Sequence, residues 1–499
     1  MSKKPNIYFN NREIILTGIF IVFGIVFSMI SIPNHYLFRT AANDMGMYNH
    51  AVYSYSHLKP AVFTLSMYGR EYPFLASHFS TITILYSPFY YLFGSYTLLI
   101  IQIAAILFGG LGIYKYSLNY FDKDSYIPHL ILIHFFSIYG IYSALSFDFH
   151  NNVVGAMLIP WFVYYLEKRK TIPLIIITAL IVSTKEIMAV WLFFLILMLM
   201  VKNRKQYAKS YLKLEIPLLV FAAIYSYSVI FVIVPHLQGV ESNLQFSRYS
   251  LLGDTPTAIL HKVFTQPLSI IKSLFSNTLH APVYDNIKSE TLFMLAVSGG
   301  FLIIYRPVYL IFFLPVIFQK FSSDSYGFWG INAHYSIEFV PLLSLLVIDS
   351  IKALRRRKVI AYALISIIAI ATMKNNIDKI NHRESKWYNK INNVYFSKEH
   401  YNTAFDIKQM NNALKLIDGH SPLCTSGCLA PHLAGRDKIY LFPNVKDAVY
   451  IALTKKECSP WPLTKEEYEI KMKFHKNDPE FKIIFENDDL IILKKITQP

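Results

Sequence analysis

The strongest constraint on this chain is a succession of apolar runs long enough to cross a bilayer, the first from about Ile14 to Ile32. A spanning helix needs about 20 predominantly apolar residues, and it must satisfy its backbone polar groups internally. Counting runs of that kind, and allowing shorter ones in a packed bundle, gives about eleven. They centre on 14–32, 97–114, 127–146, 151–166, 172–184, 187–201, 214–234, 291–305, 307–320, 336–350 and 358–373. Only 16% of the residues are charged and 54% are hydrophobic, where a soluble domain carries about 25% charged residues. The expected fold is an all-α, multi-pass transmembrane bundle. The stretch 80–93, STITILYSPFYYLF, is apolar but short and broken by Pro88. It reads as a re-entrant or interfacial helix.

A formal net charge of +16 would suggest nucleic acid for a soluble chain. Here most clustered Lys and Arg fall in short loops between apolar runs, where they set topology. No nucleic-acid partner is expected. Placing the N-terminus (Lys3, Lys4, Arg12) in the cytoplasm brings the basic loops 115–126, 167–171, 202–213, Arg306 and 351–358 to that same side. A wrong span count would scatter them to alternate sides. The segments 33–80, 235–290 and everything from about 374 are then expected outside the cell membrane. The first run exceeds the 7–15 residues of a signal-peptide core, and Thr-Ala-Ala is a faint cleavage signal, so an uncleaved signal anchor is expected.

Composition changes near 374, which divides the chain into a transmembrane domain (1–373) and an extracytoplasmic C-terminal domain (374–499). After a helical linker near 375–415, the runs KIYLFP (438–443), AVYIAL (448–453) and FKIIFENDDLIILKK (481–495) read as strands. The last would be a hairpin turning at Asn487-Asp488. A small α/β or α+β domain follows. Cys424, Cys428 and Cys458 all lie there. The CTSGC spacing could close a disulfide outside the cytoplasm; unpaired or structural cysteines are the reading preferred to a metal site, because no second pair or His cluster accompanies them.

Polar residues beside the membrane sort onto the external side: Asp44, His50, His57 and His78; SFDFHNN with Asp148 and His150; TKE with Lys185 and Glu186. FSRYSLLGD with Arg248, Tyr249 and Asp254, HAPVYD (280–285), and AHYSIE with His334, Tyr335 and Glu338 join them. Ionisable groups at membrane depth are costly unless paired or wet, which makes the set a candidate site opening outward. Asp44 supports three readings: a general base, a ligand of a divalent cation carrying phosphate, or an N-cap of the helix beginning near MGMYNHAVYSY. Lys185 and Glu186 support two, a mutual ion pair or a lysine turned toward an anionic phosphate. His334, Tyr335 and Glu338 are spaced to share one face of a helix start. The His spacing matches no recognised transition-metal motif.

The succession NDMGMYNHAVY (43–53), ASHFSTITILYSPFYYLFGSYTLLIIQ (76–102), SFDFHNNVVGAMLIPWFVYYL (146–166) and STKE (183–186) resembles the membrane-protein family DUF2079. FSRYSLLGD, AHYSIEFVP and APHLAGRDKIYLFP (430–443) fit its later parts, so the resemblance spans nearly the whole chain. One departure is Thr81, where a proline would be usual after His-Phe-Ser. That family in turn resembles the GT-C superfamily of multi-pass glycosyltransferases. The resemblance implies a polyprenyl-phosphate-linked sugar as donor, an acidic residue of the first external loop as catalytic base or metal ligand, and an external C-terminal domain that helps bind the acceptor. Asp44 stands where that acidic residue belongs; Asn43 precedes it, where many members have a second acid, so a single base is the simpler assignment. The leading expectation is a membrane glycosyltransferase with Asp44 as base. His78, Asp148, His150, Lys185, Glu186, Arg248, Tyr249, His334, Tyr335 and Glu338 would be its substrate-binding residues. The acceptor is unidentified, and a divalent cation remains one option. The alternatives are a transporter or lipid-carrier flippase without chemistry, which often shows internal repeats not evident here, and a receptor or scaffold using the C-terminal domain.

Overall fold

The computed structural model describes residues 11–496 apart from 123, 241–243, 254, 386–387 and 457. Lys3, Lys4, Lys123 and Asp254, named above, lie outside the described residues. The chain is mainly helical. After α1 (Asn11–Tyr36) come α2 (Met47–Ser56) and a two-stranded ribbon, β1 (Val62–Phe63) and β2 (Tyr72–Pro73). Then follow α3 (Thr83–Phe93), α4 (Thr97–Ser117), α5 (Ile127–Ser137), α6 (Tyr139–Phe147), α7 (Asn151–Glu167), α8 (Thr171–Thr184) and α9 (Met188–Tyr207). The next are α10 (Glu215–Gln238), α11 (Pro256–Thr265), α12 (Pro267–Phe275), α13 (Ile287–Val297), α14 (Leu310–Phe321), α15 (Phe339–Ile351) and α16 (Lys358–His382).

Every apolar run contains helix. Among the described residues, four helices are able to cross a membrane by length and composition: α1, the continuous Thr83–Ser117 unit, α10 and α16. The α5–α6 pair, bent by 42°, makes a fifth. The remaining runs are shorter, interrupted or charged. That at 291–305 breaks at Gly299, whose φ is +99°, and α9 ends in Lys202, Arg204 and Lys205. The segment 80–93 forms α3, which packs on α2 and joins α4 through Gly94.

Which helices lie inside follows from their faces. The sequence of α15, FVPLLSLLVIDSI, has no polar stripe, and all 13 of its residues are buried, as expected for a helix apolar all round in a large core. On α1, α10 and α16, by contrast, Ile21, Ile224 and Ile370 are exposed, a lipid-facing surface. Glycines bring α4 and α7 close: a Cβ on Gly109 would meet Met157 Sδ at 2.9 Å, and one on Gly112 would meet Pro160 Cβ at 2.9 Å.

At the far end of the chain, α16 runs unbroken past residue 373 to His382, so the composition change falls inside a helix. Beyond α17 (Ile407–Leu414) lies a five-stranded sheet of β3 (Leu423–Thr425), β4 (Ile439–Leu441), β5 (Tyr450–Thr454), β6 (Phe481–Glu486) and β7 (Leu490–Lys495). Its order is β4-β3-β5-β7-β6, parallel across β4-β3-β5 and antiparallel in the β6–β7 hairpin at Asn487–Asp489. Short α18 (Ala430–Leu433) follows β3, and α19 (Lys465–Lys476), opened by a Thr464–Glu467 capping box, precedes β6. Alternation along the strands gives the sheet two apolar faces. Ile451, Leu453, Ile491 and Leu493 form a core with α19; Leu423, Ala452, Leu490 and Ile492 share one with Met45, Tyr48 and Phe149 of the membrane part. The sheet therefore rests on the segment that follows α1.

The CTSGC pair does not close. Cys424 belongs to the face covered by α19 and Cys428 to the opposite one, and Cys428 is disulfide-bonded to Cys458 instead, leaving Cys424 free and buried.

Candidate active site

Phe38, at φ +59°, turns the chain out of α1, and Ala42–Gly46 then forms a single π-type turn that carries Asp44. No side chain caps α2, so the N-cap reading of Asp44 does not hold. The turn is fixed from behind. Asp148 Oδ2 accepts from the Ala41 N–H at 2.9 Å, and the Gln102 side chain of α4 spans the 148–150 loop, donating to Asp148 O at 2.8 Å and accepting from His150 N–H at 3.0 Å. On its outer side the turn touches α18: a Cβ on Gly46 would lie 3.5 Å from Ala430 Cβ. Asn49 Nδ2 donates to Pro431 O at 3.1 Å, and His35 stacks on His432 at 4.1 Å.

In front of Asp44 is a cavity of about 480 Å³. His78, His150, Lys185 and Glu186 face it from the first loops and the α8–α9 break; Arg248 and Tyr249 come from the segment after α10. His334, Tyr335 and Glu338 line it from the turns just before α15, not from within a helix. Asp148 is the expected site residue outside the lining; it supports the Asp44 turn. Apolar side chains including Val190, Phe231, Phe246 and Phe318 complete the wall.

The ionic pairing inside is selective. Glu186 is taken by His78 Nδ1 at 3.2 Å and by the Phe79 N–H at 3.0 Å. The mutual Lys185–Glu186 pair therefore does not form: among the described residues Lys185 makes no hydrogen bond or ion pair within 4.0 Å. Glu338 is neutralised by buried Lys320 at 2.9 Å. Arg248 lies over the Phe328 ring at 5.4 Å, with no carboxylate of the described residues at ion-pair distance. Among the described residues the one ion-pair contact of Asp44 is with His150 Nε2, at 3.7 Å. Burial pushes the Asp44 carboxyl up to about 6, with Lys185 opposing part of that rise. The His150 and His334 rings lie with centroids 3.5 Å apart, tilted by 31°. Both His150 ring nitrogens, His334 Nδ1, Glu338 Oε2 and Asn152 Oδ1 are buried without a hydrogen-bond partner. Buried polar atoms are normally satisfied, so this wall has the character of a polar ligand site.

Among the described residues no group of three or more His, Cys, Asp or Glu is arranged to hold a metal ion. Two residues that matter escaped the sequence reading, Gln102 and Lys320. Each is a lone polar group in or at the end of an apolar run, the signal that marks a functional position in a span.

A family model described as "Predicted membrane protein (DUF2079)" matches residues 34–492. No curated protein matches the chain. Among solved structures, the crystal structure of ArnT from Cupriavidus metallidurans bound to undecaprenyl phosphate is similar in fold, with a TM-score of 0.53 at 8% sequence identity. The match covers 97% of this chain and 98% of that one. The fold is thus shared with that protein across nearly the whole of both chains. The chain belongs to the DUF2079 family of membrane proteins.

Proposed function

We propose that this protein transfers a glycosyl group from a polyprenyl-phosphate-linked sugar to an acceptor hydroxyl at the external face of the membrane, with inversion at the anomeric carbon. The observation that carries the reading is one cavity holding a carboxylate without a close cation, Asp44, together with cations without a carboxylate, Lys185 and Arg248. Asp44 takes the acceptor proton as the acceptor oxygen bonds to the anomeric carbon. The bond from that carbon to the phosphate oxygen breaks, and its electron pair leaves with the phosphate. Lys185 and Arg248 stabilise the charge that develops there, and the buried His150–His334 pair supplies ring nitrogens to phosphate or sugar oxygens. The apolar wall offers a berth for the polyprenyl chain. The N-terminus and the basic loops are cytoplasmic in this arrangement. The ArnT likeness supports the fold and the lipid class, since that protein is bound to undecaprenyl phosphate.

The test is ligand stabilisation in purified, lipid-reconstituted protein. Polyprenyl phosphate and its sugar conjugates are expected to raise the melting temperature of wild type, and to do so far less in Lys185→Met. No shift with any lipid phosphate would move the assignment to a transporter or scaffold.

A further inference from the structure

A second cavity lies at the other end of the same helices. Lys185 and Glu186 stand before α9, which carries Lys202 near its far end; Lys320 lies at the end of α14, which begins just after Arg306; Glu338 precedes α15, which runs into Lys352. At about 1.5 Å per residue, the 13 residues of α15 separate the two ends by about 20 Å. There Tyr120, Arg306, Lys352, Arg355 and Arg356 line an open cavity of about 530 Å³.

Acidic groups account for only part of its charge. Buried Asp349 takes Lys202 at 2.8 Å and Lys352 at 2.7 Å, and its backbone carbonyl accepts from Arg306 Nη2 at 2.8 Å. Among the described residues, no carboxylate lies within 4.0 Å of Arg306, Arg355 or Arg356. Arg306 Nε is buried with no hydrogen-bond partner. Topological bias explains basic residues in these loops, but it does not require three guanidinium groups to meet at one cavity, none of them at ion-pair distance from a carboxylate among the described residues. Beside them in sequence, Ile304, Tyr305, Val359 and Ile360 are exposed apolar side chains. Charge and an apolar surface thus adjoin.

We propose that this cavity binds the phosphate headgroup of an anionic phospholipid, held by Arg306, Arg355 and Arg356, with its acyl chains along the flanking apolar side chains. The guanidinium fork matches phosphate oxygens in pairs. The site is independent of the glycosyl-transfer reading.

Lipid retention by the full-length protein, read by native mass spectrometry after reconstitution in mixed phosphatidylglycerol and phosphatidylcholine, tests it. Wild type is expected to retain phosphatidylglycerol preferentially. Arg355→Gln/Arg356→Gln is expected to lower that preference by about 30-fold, since two basic residues near an anionic surface together contribute about 2 kcal/mol. The control Arg204→Gln/Lys205→Gln removes the same charge from the exposed end of α9 and is expected to leave the preference intact. Equal retention of the two lipids by wild type, or an equal loss in the control, overturns the proposal. So does thermal stabilisation by inorganic phosphate in neutral detergent that the Arg355→Gln/Arg356→Gln variant loses, which would assign the cavity to a free phosphate.

Discussion

Among the described residues Asp44, Lys185 and Arg248 are the charged side chains of the cavity held by no oppositely charged group closer than 3.7 Å. Glu186 is bound to His78 and Glu338 to Lys320, so those carboxylates are spent on structure. With its carboxyl raised to about 6 by burial, Asp44 serves as a base only when deprotonated. Transfer is therefore expected to be constant above pH 7 and to fall about tenfold per pH unit below 6. A rate profile showing no loss down to pH 5 would remove Asp44 from the role. The contrast between free and paired cations gives a stability prediction. Lys185→Met breaks no bond and is expected to change unfolding free energy by no more than about 0.5 kcal/mol. Lys320→Met strands Glu338 in a site where both side chains are 3% exposed, and should cost about 3–5 kcal/mol. Melting curves of the two variants check the pair. At this scale the sequence was informative where polar residues interrupt apolar runs, as at Asp44, His150 and Lys185. It could not tell which partner each would choose, because Glu186 finds His78 across 108 positions of chain.

Among the elements, the turn Ala42–Gly46 is gripped between the bundle and α18. A Cβ on Gly46 would meet Leu65 Cδ1 at 3.2 Å and Ala430 Cβ at 3.5 Å. Gly46→Val therefore overpacks that contact, and a loss of about 1–3 kcal/mol is expected. Faster proteolysis of the C-terminal domain in this variant than in Gly18→Val, where nothing lies within 4 Å, would locate the damage; equal rates would speak against the grip. Strands β4 to β7 were readable as short β-rich runs, whereas the three-residue β3 (Leu423–Thr425) was not. Nor was the disulfide. Cys428 lies three residues beyond the end of β3 and Cys458 four beyond the end of β5, and the parallel pairing of those strands brings them together. Thiol labelling of unfolded, unreduced protein should find one reactive cysteine, Cys424, and labelling after reduction should find three.

For the whole molecule, the all-α membrane architecture follows from apolar runs alone, and the basic loops do gather at one end: Arg12 pairs with Asp124, Arg169 with Glu215 and Lys202 with Asp349. The number of crossings is harder to read. Several runs make helices shorter than a bilayer needs, supported by neighbours rather than by their own length. Nor could the sequence show that the C-terminal sheet shares a core with the loop after α1, a contact between opposite ends of the chain. That contact places the sheet directly behind the Asp44 turn and makes the C-terminal domain part of the site's frame. The most direct test is glycosyl transfer from a radiolabelled polyprenyl-phosphate sugar in proteoliposomes, comparing wild type with Asp44→Asn. Turnover by wild type, reduced about 10²–10⁴-fold in Asp44→Asn while donor binding persists, is the expected result. Transfer by Asp44→Asn at the wild-type rate would contradict it.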